Sequence, residues 1–197
     1  MAKLLVLAVS WSVRLLIAGT HGTGPLEGLY GATAQKTWAG TLKTANAIAQ
    51  QMEKEVPNDA RFEQDFAEAN VSTSKLARYY LRALERTVRN DPEPYFVPND
   101  ELVITLEHVM PEDRKYWRSI PEEIHQSHLT RLGNLVLLKS KPNSEIGNVS
   151  FNVKKPYLVA AEPKLTQEVG QYPDWGKEQI EKQQRRLAKL AVRTWPI

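Results

Sequence analysis

The chain has 197 residues, 42% of them hydrophobic and 25% charged, with a formal net charge of +3. That composition builds a globular core and excludes disordered and fibrous classes. The absence of cysteine excludes disulfides, thiol catalysis and Cys-ligated zinc, and is compatible with a reducing cytoplasm.

Met1 to Gly19 carries an early Lys, an apolar run and small residues near its end, as a signal peptide would. Arg14 breaks the run, which is too short to span a membrane. The spacing predicts a buried amphipathic helix, and a chain opening on a core helix can be a piece of something longer. Ala34, Trp38, Leu42, Ala45, Ile48, Ala49 and Met52 fall at helical spacing and predict one helix over 29–55, stopped by Pro57. Asn58-Asp59 caps a short helix carrying Phe62 and Phe66. Ser72 or Ser74 caps the next, with Leu76, Tyr79, Tyr80, Leu84 and Val88 facing inward. His21, in the turn Thr20-His-Gly-Thr-Gly, reads as a loop residue. The Pro-rich stretches from Asp91 and from Pro98 read as a linker. They divide the chain into a helical scaffold region, 1–98, and a second domain, 99–197.

Leu102 to Glu107 is β-branched and apolar, which suits a strand. It delivers Glu107 and His108 at its end, and Met110-Pro111 breaks it. Residues 120–131 form a short helix or ordered loop. Leu135 to Leu138 is a second strand, and Pro142 opens a turn or helix bearing Asn143. Residues 151–159 and 165–169 read as short helices, and 180–195 as a long basic helix. The fold class is α+β, mainly helical. Trp117, Trp175 and Trp195 are expected in the core. His125 and His128, three apart, read as surface histidines, with a ligand or second proton donor as the alternative.

The chemistry concentrates after residue 100. Glu107 precedes His108, Asn134 follows the histidine by 26 positions, and Asn143 follows by nine more. A phosphodiester needs a nucleophile, neutralisation of phosphate charge and help for the leaving oxygen. A neutral imidazole is a good base near pH 7, so His108 suits deprotonation of water. The oxygens of Glu107 and Asn143 suit one Mg²⁺ or Mn²⁺ ion rather than zinc. Neighbours on a regular strand face opposite ways, so Glu107 and His108 converge only if the chain bends. Asn134 is placed to brace the loop after His108.

Charge is biased the same way. Up to Asp113 there are 11 Lys+Arg against 15 Asp+Glu, and beyond it 15 against 8. Lys139, Lys141, Lys154, Lys155, Arg185, Arg186 and Lys189 are candidate contacts to a DNA backbone, giving affinity without sequence reading.

Glu107-His108-Val-Met-Pro111, Leu132-Gly-Asn-Leu-Val-Leu-Leu138, Asn143-Ser144, Asn148, Phe151, Lys154-Lys155 and Trp195-Pro196 together resemble the C-terminal nuclease domain of GmrSD-type modification-dependent restriction enzymes. The resemblance covers about residues 100–197. It extends more loosely to Trp11-Ser-Val-Arg-Leu-Leu-Ile and Leu29-Tyr30.

The resemblance implies an HNH-type, or His-Me finger, ββα-metal module and a metal-dependent DNA endonuclease of restriction or antiphage defence. By position, His108 is then the general base, Glu107 a metal ligand where many relatives have Asp, and Asn134 the bracing Asn. Asn143 is the helix-borne ligand, and Lys154 and Lys155 contact phosphates. The nine-residue step between the asparagines is similar to the nuclease domain that cuts the target strand in RNA-guided CRISPR effectors. Departures are Glu112 for the usual Gln, Val136 for Thr, and Gln183 for an Arg of the last helix. No Asp-Gly-Gln-Gln-Arg motif is present, so the implied N-terminal NTP-dependent domain would be a separate part or a partner subunit. A catalytically inactive DNA-binding module of the same fold, or an RNase, is the alternative.

Overall fold

The computed structural model describes residues 2–19, 23–90, 100 and 103–197. The linker over 91–99, the boundary between 98 and 99, and His21 lie outside them. Ten helices and two strands are described, and the protein is mainly helical. None of the described helices is long and apolar enough to cross a membrane. Contacts group the chain into two compact units, Met1–Phe66 with Ala191–Ile197, and Ala67–Leu190.

In the first unit, α1 (Ala2–Ala18) buries Trp11, Val13 and Leu15. The charge that interrupts the apolar run is fully buried as well. Arg14 donates from Nε to the Trp195 carbonyl (2.7 Å) and from Nη1 to the Pro57 carbonyl (2.9 Å), and pairs through Nη2 with Asp59 (2.6 Å). Every arm of the guanidinium has an acceptor, which is what makes a buried arginine tolerable. The helix expected over 29–55 is two helices, α2 (Thr23–Trp38) and α3 (Ala45–Glu53). Gly40 takes a left-handed φ of 73° between them, and the Thr44 side chain accepts from Ala47 N to start α3. Those two turn signals outweigh the continuing run of small residues. Next, α4 (Asp59–Glu68) buries Phe62 and Phe66, with Asn58 Oδ1 accepting from Arg61 N (3.0 Å).

In the second unit, α5 (Ser74–Arg89) has Thr73, not Ser72 or Ser74, at its N-cap position, and the threonine side chain makes no capping bond. Tyr80 and Leu84 face inward as expected, but Tyr79 is exposed. Strand β1 (Ile104–His108) pairs antiparallel with β2 (Leu135–Lys139), with Glu107 opposite Val136 and His108 opposite Leu135. Residues Leu135 to Leu138 are all buried, which explains an apolar run without alternation. Between the strands lie α6 (Glu122–His128) and a 3₁₀ turn (Leu132–Asn134). After β2 come α7 (Ser140–Ile146), α8 (Phe151–Val159), α9 (Lys164–Gly170) and α10 (Lys177–Thr194). One core gathers Val109, Met110, Trp117, Val136, Phe151, Leu158, Val169, Trp175 and Ile180. The Glu85 carboxylate is buried and accepts from the backbone N–H groups of Lys164 (2.6 Å) and Leu165 (2.9 Å), so it caps α9 from another helix.

The 3₁₀ turn meets α10 with no room to spare. A Cβ on Gly133 would sit 2.3 Å from the Ile180 carbonyl oxygen and 2.8 Å from Gln184 N. Both are backbone atoms of α10 and cannot swing aside. Gly133→Ala is therefore expected to cost about 1–3 kcal/mol, as overpacking does. Guanidinium unfolding would measure it, and an unchanged midpoint would contradict the close approach.

Candidate active site

His108 ends β1, and the three residues after it are held by backbone and side-chain bonds. Val109 N donates to the Asn134 carbonyl (3.0 Å). Met110 N donates to Asn134 Oδ1 (2.9 Å), and Asn134 Nδ2 donates to the Met110 carbonyl (2.9 Å) and the Leu129 carbonyl (3.0 Å). Trp175 Nε1 also donates to Oδ1 (3.1 Å). The carboxamide is fully buried; two of its bonds hold Met110, in the chain that leaves His108, and the other two tie it to Leu129 and Trp175.

The Pro111 carbonyl is 2.7 Å from His125 Nε2. A carbonyl only accepts, so that nitrogen carries the proton. His125 and His128 are both buried, at 4% exposure each, which corrects the surface reading. Burial comes from remote partners, the Pro111 carbonyl for His125 and Glu181 (3.3 Å) for His128. His125 is thus a structural clamp on the loop.

The bend at Val109 to Pro111 lets neighbours on the strand share one space. Glu107, His108, Pro111, Glu112, Asp113 and Asn148 line a cleft of about 450 Å³. His108 is half-buried, and burial holds its pKa below the ordinary histidine value; the Glu112 charge opposes that and Lys154 adds to it. The imidazole is therefore biased towards its neutral, proton-accepting form.

Glu107 is buried, and its Oε1 takes the ammonium of Lys154, which also donates to the His108 carbonyl (2.8 Å). Burial pushes the carboxyl up and the ammonium down, and each partner works to keep the other charged. Lys154 was expected at a phosphate; it is wholly buried on α8 and engaged with this pair. Asn143, on α7, is half-buried and is not a lining residue of the cleft. Its Nδ2 donates to Thr105 Oγ1 (2.6 Å) and to the Leu106 carbonyl (3.3 Å), which fastens α7 to β1. No described hydrogen bond reaches its Oδ1.

Glu107 and Asn143 carry oxygen donors of the kind a hard divalent cation takes, but only Glu107 lines the cleft. The Glu107 carboxylate already has a cation seated against it, the Lys154 ammonium. Among the described residues no three His, Cys, Asp or Glu side chains cluster as a metal cage. An ion held by one carboxylate and one carboxamide keeps several waters, as Mg²⁺ prefers.

The other basic candidates are mostly exposed, and three of them pair with carboxylates. Lys139 is exposed and pairs with Glu162 (2.9 Å). Lys141 and Lys189 are exposed and Lys155 half-buried. Arg185 lies 3.7 Å from Glu181 and Arg186 3.3 Å from Glu168. Sequence reasoning gave no role to Asn148, Glu112 or Asp113 in the cleft. Glu112 stood out only as a departure from the motif, and Asn148 only as part of it.

A family model described as the C-terminal domain of GmrSD restriction endonucleases matches residues 56–190, more than half of the chain. Neither the curated proteins nor the solved structures gave a match. The matched region contains β1, β2, the cleft and both bracing contacts of the His108 loop. The chain belongs to the GmrSD restriction endonuclease C-terminal domain family, a family of restriction-type nuclease domains.

Proposed function

We propose that the chain is a metal-dependent DNA endonuclease domain of a restriction or antiphage system, with His108 as its general base. The observation that carries this is the pairing of a neutral-biased His108 with a buried Glu107 on one cleft, in a member of a restriction nuclease family. We read β1, β2 and α7 as the ββα core of an HNH-type, His-Me finger module. Domain 99–197 would carry the chemistry and 1–98 would support it.

One ring nitrogen of His108 accepts the proton of an attacking water, which is the step a neutral imidazole performs best. Asn134 and His125 fix the backbone from Val109 to Pro111, so the strand end that carries His108 needs little reorganisation at each turnover. Glu107 and the Oδ1 of Asn143 would hold one Mg²⁺ or Mn²⁺, which would polarise the phosphoryl oxygen and stabilise the departing one. Lys139, Lys141, Lys155, Arg185 and Arg186 would contact the DNA backbone, with Lys154 acting from within through Glu107. An N-terminal NTP-dependent domain or partner subunit would supply targeting.

Supercoiled plasmid incubated with Mg²⁺ or Mn²⁺ tests the proposal. Conversion to nicked or linear DNA, abolished by chelator, is expected. Tight binding without conversion in either metal would point to an inactive DNA-binding module, and cleavage of RNA alone to an RNase. Asn143→Ala is expected to raise the Mn²⁺ needed for half-maximal cleavage by at least about 10-fold. An unchanged metal titration would remove Asn143 from the ligand set.

A further inference from the structure

The loop that leaves the His108 cleft presents an aromatic ring between two cations. Glu112 and Asp113 line the cleft, and Arg114-Lys-Tyr-Trp-Arg118 follows them. Trp117 is 5% exposed and belongs to the core around Val136 and Phe151, and its Nε1 donates to the Val149 carbonyl (3.1 Å). Lys115 N donates to Asp113 Oδ1 (2.9 Å), and Trp117 N to the Arg114 carbonyl (2.9 Å). Ile120 N donates to the Trp117 carbonyl (3.0 Å), and Arg114 Nη2 closes the loop on the Ile120 carbonyl (2.7 Å). The backbone is therefore pinned on both sides of residue 116.

Tyr116 itself is 55% exposed. The Lys115 ammonium lies 5.2 Å from the centre of its ring, and Lys115 and Arg118 are both exposed. Among the described residues neither has a carboxylate partner, unlike Arg114, which lies 3.4 Å from Glu122. A single exposed tyrosine is ordinary. This one stands on a fixed backbone, beside two cations, at the rim of a cleft short of positive charge. In the cleft Glu107 is matched by Lys154, and Glu112 and Asp113 add two further acids. A polyanion that enters it needs cations close by to hold it.

We propose that the loop over 114–118 grips the backbone of duplex DNA beside the cleft. Lys115 and Arg118 each take a phosphate. Tyr116 lays its ring on a sugar between them, and its hydroxyl donates to a phosphate oxygen. Contacts of this kind set register and affinity without reading sequence. Asp113 and Tyr116 are three residues apart, which puts their Cα atoms at most about 11 Å from each other. That is about three steps of a duplex at 3.4 Å each, so the gripped nucleotides adjoin the one at His108. The fixed backbone means that the loop needs no ordering when DNA arrives. The grip rests on the reading of DNA as the ligand, but not on the chemistry at His108.

The test uses the full chain in chelator, so that nothing is cut, with a short fluorescently labelled duplex and anisotropy titrations over a range of salt concentrations. The double change Lys115→Ala with Arg118→Ala is expected to lower the steepness of log affinity against log salt by about 2, one for each phosphate released. Tyr116→Ala is expected to weaken binding by about 10-fold, as the loss of a hydrogen bond to a charged group does, with the salt slope unchanged. Tyr116→Phe, which keeps the ring, is expected to fall between. All three side chains are exposed, so melting temperatures are expected to stay put, and a circular dichroism melt checks that. No duplex binding by the wild-type chain, or wild-type affinity and salt slope in the variants, would overturn the grip. Variants that bind like wild type in a chain that cuts plasmid would sink the grip alone. Weakened variants in a chain that leaves plasmid intact in Mg²⁺ and Mn²⁺ would support the grip and sink the nuclease proposal alone.

Discussion

His108→Ala is expected to lower metal-dependent plasmid cleavage by about 10²- to 10⁴-fold, the range of a lost general base, and to leave DNA affinity within about twofold. The reason lies in how the residue is placed. His108 is half-buried, and none of the bonds that hold the loop after it runs through its imidazole. Removing the ring takes away the proposed proton acceptor and little of the architecture. The Lys154 bond goes to the His108 backbone carbonyl (2.8 Å), which alanine also possesses. A circular dichroism melt alongside the cleavage assay would verify that the fold survives. Full activity in this variant would eliminate the proposed mechanism.

Asn134→Leu is expected to be the most destabilising single change among the candidate residues. Leucine matches the volume roughly but offers no polar atom. It strands Met110 N, the Met110 carbonyl and Trp175 Nε1 in the core. Each buried group left without a partner costs about 1–3 kcal/mol, so a loss of about 3 kcal/mol or more is expected. The shift of the urea midpoint measures it. Asn134→Asp separates the two halves of the side chain, because it keeps the acceptor for Met110 N and loses the Nδ2 donor. It is expected to fold with a loosened His108 loop and a lower kcat at similar DNA affinity. A loss below 1 kcal/mol for Asn134→Leu would show that the loop is held mainly by other contacts.

The elements were legible where burial was simple. The Leu135 to Leu138 run announced a strand because all four side chains enter the core. Phe151 and Val159 marked the ends of α8 as they stand. The break between α2 and α3 was carried by Gly40 and Thr44, local signals masked by a longer run of small residues. The cleft was legible only in part. Glu107 and His108 are adjacent in sequence, and Pro111 signalled a bend, so their meeting was readable. The partners that define their surroundings are remote in sequence. Lys154 reaches Glu107 across 47 positions, Trp175 reaches Asn134 across 41, and His128 reaches Glu181 across 53. Nothing in the local pattern of a Lys-Lys pair or of two histidines on a short helix distinguishes a solvated side chain from one that tertiary packing has enclosed.

The lysine enclosed beside Glu107 bears on handling of the protein. Many metalloproteins are held together by their ion, so that removing it leaves carboxylates to repel one another and the chain unravels. Here an amine of the polypeptide itself balances the acid. Dialysis against EDTA is therefore expected to leave the melting temperature unchanged, and calorimetry of stripped and Mg²⁺-supplemented samples would reveal any difference. Material purified in chelator should keep its shape, and a marked drop in melting temperature on dialysis would mean that the lysine does not suffice.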